Sequence, residues 1–317
     1  MRNRVRVLLL ALLLVTAMCS HDLLMGQSIS DSSGESSNLT YRSSVSEVRL
    51  VFFATDEHNR AVEELQKDDF AVVDDERVIR NFRSFARADL IKLDVIVLMD
   101  SSESVQPRFQ QEIADVQQLI SQWPWGPGDN VSVLSFGGME TRLVCSGDCR
   151  SLFTADRIQS LPSGGATPLF DAVELATNML IQRAQPDVWR VIILFSDGDD
   201  TISKVSLNEV LQKVLASEAQ IYAVDLSRPG PPSNGAAILQ RMAEDSGGRR
   251  IRSSDGAVGI FRGVIDDLHS ARVVTYRLPK FGSDFHSIRI LPTHNLKLQF
   301  RCRRGYYSRS SSADIGN

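Results

Sequence analysis

The sequence predicts an α/β chain: a doubly wound, mostly parallel sheet with helices on both faces, joined to a small β unit formed by segments from its two ends. Three observations predict it. Between residues 89 and 271, apolar runs of strand length alternate with segments of helix length, the order that builds a parallel sheet covered on both sides. Two of those runs, Leu93–Met99 and Val191–Phe195, are nearly continuous in aliphatic residues, as strands buried on both faces are. The stretches 45–88 and 272–309 instead read as short strands parted by turns.

Taken in order, Val48–Thr55 reads as a strand, 56–60 as a turn, and Asp69–Asp75 as a strand ending in another turn, with alternation continuing over Arg77–Phe85. In the α/β region, strands are expected at Leu93–Met99, Asn130–Phe136, Thr141–Cys145, Trp189–Phe195, Gln220–Asp225 and Arg249–Ile251. Helices are expected at Val105–Ser121, Pro168–Arg183, Ser206–Ser217, Ala236–Ser246 and Val258–Ala271. Strands return at Arg272–Leu278, Phe285–Leu291 and Leu296–Cys302. Neither terminal β segment has enough apolar residues for a core of its own, so the segment 272–309 is expected to pack with 45–88.

The chain begins with a basic flank (Arg2, Arg4, Arg6) followed by an apolar run over Val7–Met18, of signal-peptide length and short for a membrane span. Residues 1–26 are expected to be a signal peptide, and the protein exported to the periplasm or secreted. Lipidation at Cys19 and a retained leader are the alternatives, and membrane contact is expected only through them. Residues 27–44 are a Ser-rich linker and 310–317 a polar tail. Cleavage after Gly26 removes three arginines and one aspartate, taking the formal charge from −4 to −6. An acidic chain argues against a nucleic-acid partner. Cys145 and Cys149 flank a short turn and can close a disulfide in an oxidising compartment; two neighbouring reduced thiols are the alternative. Zinc at these cysteines is not indicated, because His58, His269, His286 and His294 show no ligand spacing with them.

The chemistry concentrates at the ends of the buried strands. Asp100-Ser101-Ser102-Glu103-Ser104 follows the first run directly and offers one carboxylate and two hydroxyls in D-x-S-x-S spacing. Gly164-Gly165-Ala166-Thr167-Pro168 is a tight loop presenting a threonine before a helix, and Ser196-Asp197-Gly198 ends the second run in an acid at a turn. Open α/β sheets bind ligands beyond the carboxyl ends of their strands, and hard oxygen donors suit a Mg²⁺-class ion. Each piece has an ordinary reading as well: Ser104 as a helix N-cap, the glycine pairs as turns.

Together and in order, these residues resemble the metal-ion-dependent adhesion site of the von Willebrand factor A-type (VWA) domain family. The resemblance implies that Ser102, Ser104 and Thr167 ligate a divalent ion directly, Mg²⁺ or else Mn²⁺ or Ca²⁺, while Asp100 and Asp197 hold it through waters. Three neutral hydroxyls leave most of the ion's charge uncancelled, so it attracts an anionic oxygen, usually an Asp or Glu carboxylate of a partner protein. From about Val45 to Tyr307 the chain resembles one subgroup, the exported "VWFA-related" proteins common in Acidobacteria. Leu65–Phe70, Ala166–Ala172, Phe195–Asp200 and Arg303–Tyr307 carry that likeness. It places the VWA domain at 89–271.

The expected function is a non-catalytic exported binding or adhesion module that engages a protein or an acidic ligand through a metal-bridged carboxylate, with no small-molecule cofactor. An envelope scaffold with an unused metal site is one alternative. A metal-dependent phosphoryl-transfer enzyme is the other, but the haloacid-dehalogenase pattern needs a second Asp where Ser102 stands. No G-x-x-x-x-G-K-[ST], G-x-S-x-G or H-E-x-x-H motif is present.

Overall fold

The fold comes from a computed structural model, which describes residues 47–88, 91–183, 185, 187–228, 230–231, 233–252, 256–277 and 285–307. The expected leader with Cys19, the 27–44 linker and the 310–317 tail lie outside the described residues. The chain divides into units 1–44 and 45–317, and the second is described here. Its strands β1 (Glu47–Thr55), β2 (Phe70–Asp74), β3 (Arg77–Ile79) and β4 (Ser84–Arg87) precede β5 (Lys92–Asp100). Then follow α1 (Phe109–Gln122), β6 (Asn130–Gly137), β7 (Glu140–Ser146), α2 (Leu152–Gln159), α3 (Leu169–Gln182), β8 (Val188–Ser196) and α4 (Leu207–Ser217). The remainder is β9 (Gln220–Asp225), α5 (Asn234–Ser246), β10 (Arg250–Arg252), α6 (Gly256–Ser270), β11 (Arg272–Arg277), β12 (Phe285–Pro292), β13 (Gln299–Cys302) and β14 (Gly305–Tyr307).

The central sheet has six strands in the order β10-β9-β8-β5-β6-β7, parallel throughout except for the β6–β7 hairpin. Alternation along each strand feeds two cores. Val95, Val97, Met99, Ile193 and Phe195 face α1 and α6 residues such as Phe109, Ile113, Val116 and Val264. Ile96, Leu98, Ile192 and Leu194 face Leu169, Val173, Val210 and Leu239 of α3, α4 and α5. The chain leaves β5 toward β6 on one side and returns through β8 on the other. The topological switch point, where ligands enter such sheets, therefore falls between β5 and β8. Among the described residues no helix is long and apolar enough to cross a membrane.

The terminal segments build two four-stranded sheets, β13-β1-β11-β4 and β14-β12-β2-β3. Their register is antiparallel and joins distant sequence: Val51 faces Val273, and Val72 faces Ile290. Leu50, Phe52, Val274 and Tyr276 of the first sheet pack against Phe70, Val72, Ile288 and Ile290 of the second, with the Phe52 and Phe70 rings 4.9 Å apart. The β unit is thus a sandwich. The expected strand Arg77–Phe85 is divided between its two layers, because β3 pairs with β2 while β4 crosses to β11.

Three further elements differ from expectation. The helix expected from Val105 begins at Phe109, preceded by a 3₁₀ turn over Gln106–Arg108 with Pro107 in its first positions. Helix α2 and strand β14 were not expected; α2 is only eight residues long and starts at Ser151, whose hydroxyl accepts the Thr154 N–H. Cys145 Sγ and Cys149 Sγ are bonded at 2.09 Å, closing the turn that leaves β7.

Candidate functional site

The residues singled out at the strand ends meet at the switch point. In the β5–β8 register Met99 lies beside Phe195, so Asp100 ends its strand next to Ser196. Both Asp100 oxygens are engaged: Oδ1 accepts the Ser102 N–H at 3.0 Å and Oδ2 the Ser196 hydroxyl at 2.6 Å. Ser102 Oγ and Ser104 Oγ stand 3.2 Å apart. Neither the 3₁₀ turn nor α1 has a side-chain cap, so Ser104 is not spent as an N-cap.

Backbone bonds tie the three loops together. The Glu103 N–H donates to the Gly165 carbonyl at 3.0 Å, and the Gly138 N–H to that of Ala166 at 2.8 Å. Thr167, itself buried, donates its N–H to Thr201 Oγ1 at 2.8 Å, while its carbonyl accepts the Thr201 N–H at 2.9 Å. The start of α3 is capped from the loop after β8, through Phe170 N–H to Asp200 Oδ1 (3.2 Å) and Asp171 N–H to Ser203 Oγ (3.1 Å). Two glycines permit this closeness. Gly165 has φ +81° and a Cβ there would lie 2.8 Å from Gly138 Cα; Gly198 has φ +83° and a Cβ would lie 2.1 Å from the Gly235 carbonyl oxygen.

Burial pushes the Asp100 carboxyl up to about 6; the Ser102 and Ser196 bonds oppose the rise, and the neighbouring Asp197 charge adds to it. Glu112 of α1 is buried beside it and pushed well above the usual carboxylate range, chiefly by burial and then by the Asp100 charge. Two buried acids and partly exposed Asp197, with hydroxyls an octahedral edge apart (about 3.0 Å for bonds of about 2.1 Å), are a donor set suited to a divalent ion. The Ser102 and Ser104 hydroxyls come together there, and the Thr167 loop is tied to theirs by the Glu103–Gly165 backbone bond.

Because folded Asp100 keeps its proton to about pH 6 while an unfolded aspartate releases it near 4, folding takes up a proton in that window. Without metal, this group's contribution should therefore fall by on the order of 3 kcal/mol as pH rises from 4 to 7. Urea unfolding in chelator should show wild type losing stability relative to Asp100→Asn across that range. Parallel pH profiles for the two chains would contradict it.

Ser196 and Glu112 were not among the expected site residues. Ser196 becomes legible only when the strand register places it beside Asp100, and Glu112 only when α1 packs over that strand. Both observations need the fold.

A doubly wound α/β domain with hydroxyls and carboxylates gathered at its switch point defines the class. The chain belongs to the von Willebrand factor type A domain family, whose sequence model matches residues 94–260. The magnesium-chelatase 60 kDa subunit of Cereibacter sphaeroides is 26% identical over 152 residues, 45% of this chain and 27% of that protein. The chain thus spans about a quarter of that relative's length. Two solved structures are also similar. Proximal thread matrix protein 1 from the mussel byssus, described with a zinc-occupied MIDAS motif, has 17% identity and a TM-score of 0.48, with 62% of this chain and 50% of that one covered. BatB from Bacteroides thetaiotaomicron has 19% identity and a TM-score of 0.41, with 55% and 98% covered.

Proposed function

We propose that this protein is an exported, non-catalytic binding module that engages a partner protein through a divalent ion, Mg²⁺ in the first place, bridged to an Asp or Glu carboxylate of that partner. The observation that carries the proposal is the division of labour at Asp100. With both its oxygens accepting bonds from Ser102 and Ser196, Asp100 is suited to hold an ion through water, and the Ser102 and Ser104 hydroxyls beside it are neutral donors for direct ligation. An ion held that way keeps its affinity for one more anionic oxygen.

Exposed apolar side chains on the edge hairpin and the helix after it favour a protein over a free carboxylate. Met139, at the tip of the β6–β7 hairpin beside the Thr167 loop, is 86% exposed, and Leu143, Leu152 and Phe153 are exposed on β7 and α2. Phosphoryl transfer through an aspartyl nucleophile is disfavoured, because a serine stands two residues after Asp100.

The test is capture of partners from an envelope fraction by the purified chain. Binding is expected in Mg²⁺, abolished by EDTA and restored by added Mg²⁺ or Mn²⁺. Capture that is the same in chelator would discard the metal bridge and favour a scaffold that binds through its β sandwich.

A further inference from the structure

A second cluster of potential ligands lies in the β sandwich, far from the strand mouths in sequence and independent of the reading above. Asp74 ends β2, Asp75 opens the turn to β3, and His286 lies on β12, which pairs with β2. Asp74 and His286 are 0% and 2% exposed. Asp75 is partly open to solvent.

Asp74 is held in an unusual way. Its Oδ2 accepts two phenol hydroxyls, Tyr276 and Tyr306, each at 2.8 Å, which fix the carboxylate plane. Its Oδ1 is buried and has no hydrogen-bond partner. His286 Nδ1 is likewise buried and unpartnered, although it lies 3.4 Å from Asp74 Oδ1 and 2.8 Å from Asp75 Oδ2. These approaches lack the direction of an N–H···O bond. The His286 ring is itself clamped, stacked on Tyr306 with centroids 4.8 Å apart and planes 4° from parallel.

Buried donors that converge without bonding one another cost free energy unless something between them takes their lone pairs. Ligand atoms around one ion with bonds of about 2.0–2.2 Å stand roughly 3.0 Å apart in octahedral and 3.5 Å in tetrahedral geometry. The two nitrogen–oxygen distances here, 2.8 and 3.4 Å, lie close to those values, and all three candidate atoms lie within 4.8 Å of one another. Second-shell donors that orient a ligating carboxylate, as the two tyrosines orient Asp74, are a recurring part of metal sites.

We propose that Asp74 Oδ1, Asp75 Oδ2 and His286 Nδ1 form a second metal site, for a zinc-class divalent ion that clips β2 to β12 and takes water at its solvent side. One imidazole and two carboxylates favour such an ion over Mg²⁺, which prefers oxygen ligands throughout.

The test measures Zn²⁺ binding, by calorimetry and by the shift in melting temperature, on the full chain carrying Ser102→Ala/Ser104→Ala so that the strand-mouth site contributes nothing. This chain should still bind Zn²⁺ and melt higher with it. His286→Gln should abolish both effects, and Tyr306→Phe should weaken binding by ~10-fold or more through loss of an orienting bond. Asp75→Asn guards against misfolding: residue 75 has φ +45°, which asparagine tolerates, and Asn Oδ1 can keep the bond from the Ser287 N–H. It should fold normally and bind Zn²⁺ at least ~10-fold more weakly. No Zn²⁺ binding by the serine-to-alanine chain, or undiminished affinity in Asp75→Asn, would overturn the site and leave His286 as a buried neighbour of the two aspartates.

Discussion

A chain carrying Ser102→Ala and Ser104→Ala is expected to fold as the wild type does and to lose metal-dependent partner binding, by at least ~100-fold, which is about 2.7 kcal/mol. The fold should survive because the two hydroxyls bond only within the site, to each other and to Asp100, and join no element of the core. Ser104 caps no helix, and the bond from residue 102 to Asp100 Oδ1 comes from the backbone N–H, which alanine retains. What disappears is the pair of oxygens 3.2 Å apart. Thr167 alone, on a separate loop, cannot hold an ion against hydration, since Mg²⁺ gives up its waters reluctantly. Circular dichroism and melting check the fold, and pull-down in Mg²⁺ checks the function. Full binding by a folded double variant would remove these serines from any metal site.

The second large effect is structural. Deleting Arg272 to the end should expose the N-terminal strands and make 47–88 the first target of a protease, with aggregation as the visible sign. Strand β1 lies between β11 and β13, and β2 between β12 and β3, so the deletion strips both neighbours from one and a long neighbour from the other. Leu50, Phe52, Phe70 and Val72, all at most 1% exposed, lose the opposite face of their core. At about 1.5–3 kcal/mol per large side chain, the loss is comparable with the whole stability of an ordinary domain. The α/β core has separate packing on both faces of its sheet and should outlast the sandwich. An N-terminal segment that stays protected in the truncated chain would mean that its stability does not come from these pairings.

The doubly wound region was legible because its strands are long, aliphatic and punctuated by motifs that fix their ends. Leu93–Met99 and Trp189–Phe195 fall inside β5 and β8, and the helix expected from Ser206 carries a real cap there, with Glu209 in a full capping box. The pairing of the terminal strands could be argued from the shortage of apolar residues in each. Which layer each strand joins could not. Arg77–Phe85 alternates as one strand, yet the chain crosses between sheets within it, and nothing local marks the crossing. Helix α2 is too short to show a period. At the site, donors contiguous in sequence were readable, whereas Ser196 and Glu112 depend on strand register and helix packing. His286 has no ligand spacing with the cysteines, and its carboxylate neighbours lie more than two hundred residues upstream, where no spacing rule reaches.

That separation also sets a clock. Asp74 meets Tyr276 across 202 residues and Tyr306 across 232. At roughly 5–20 residues per second, a chain made from its N-terminus carries unpaired β1 and β2 for about 10–40 s before their partners exist. During that interval Phe52, Phe53 and Phe70 sit on open strand edges, the condition that favours intermolecular pairing. Yield of the folded chain is therefore expected to respond to what shields those edges in the meantime, a holding chaperone or slow dilute synthesis.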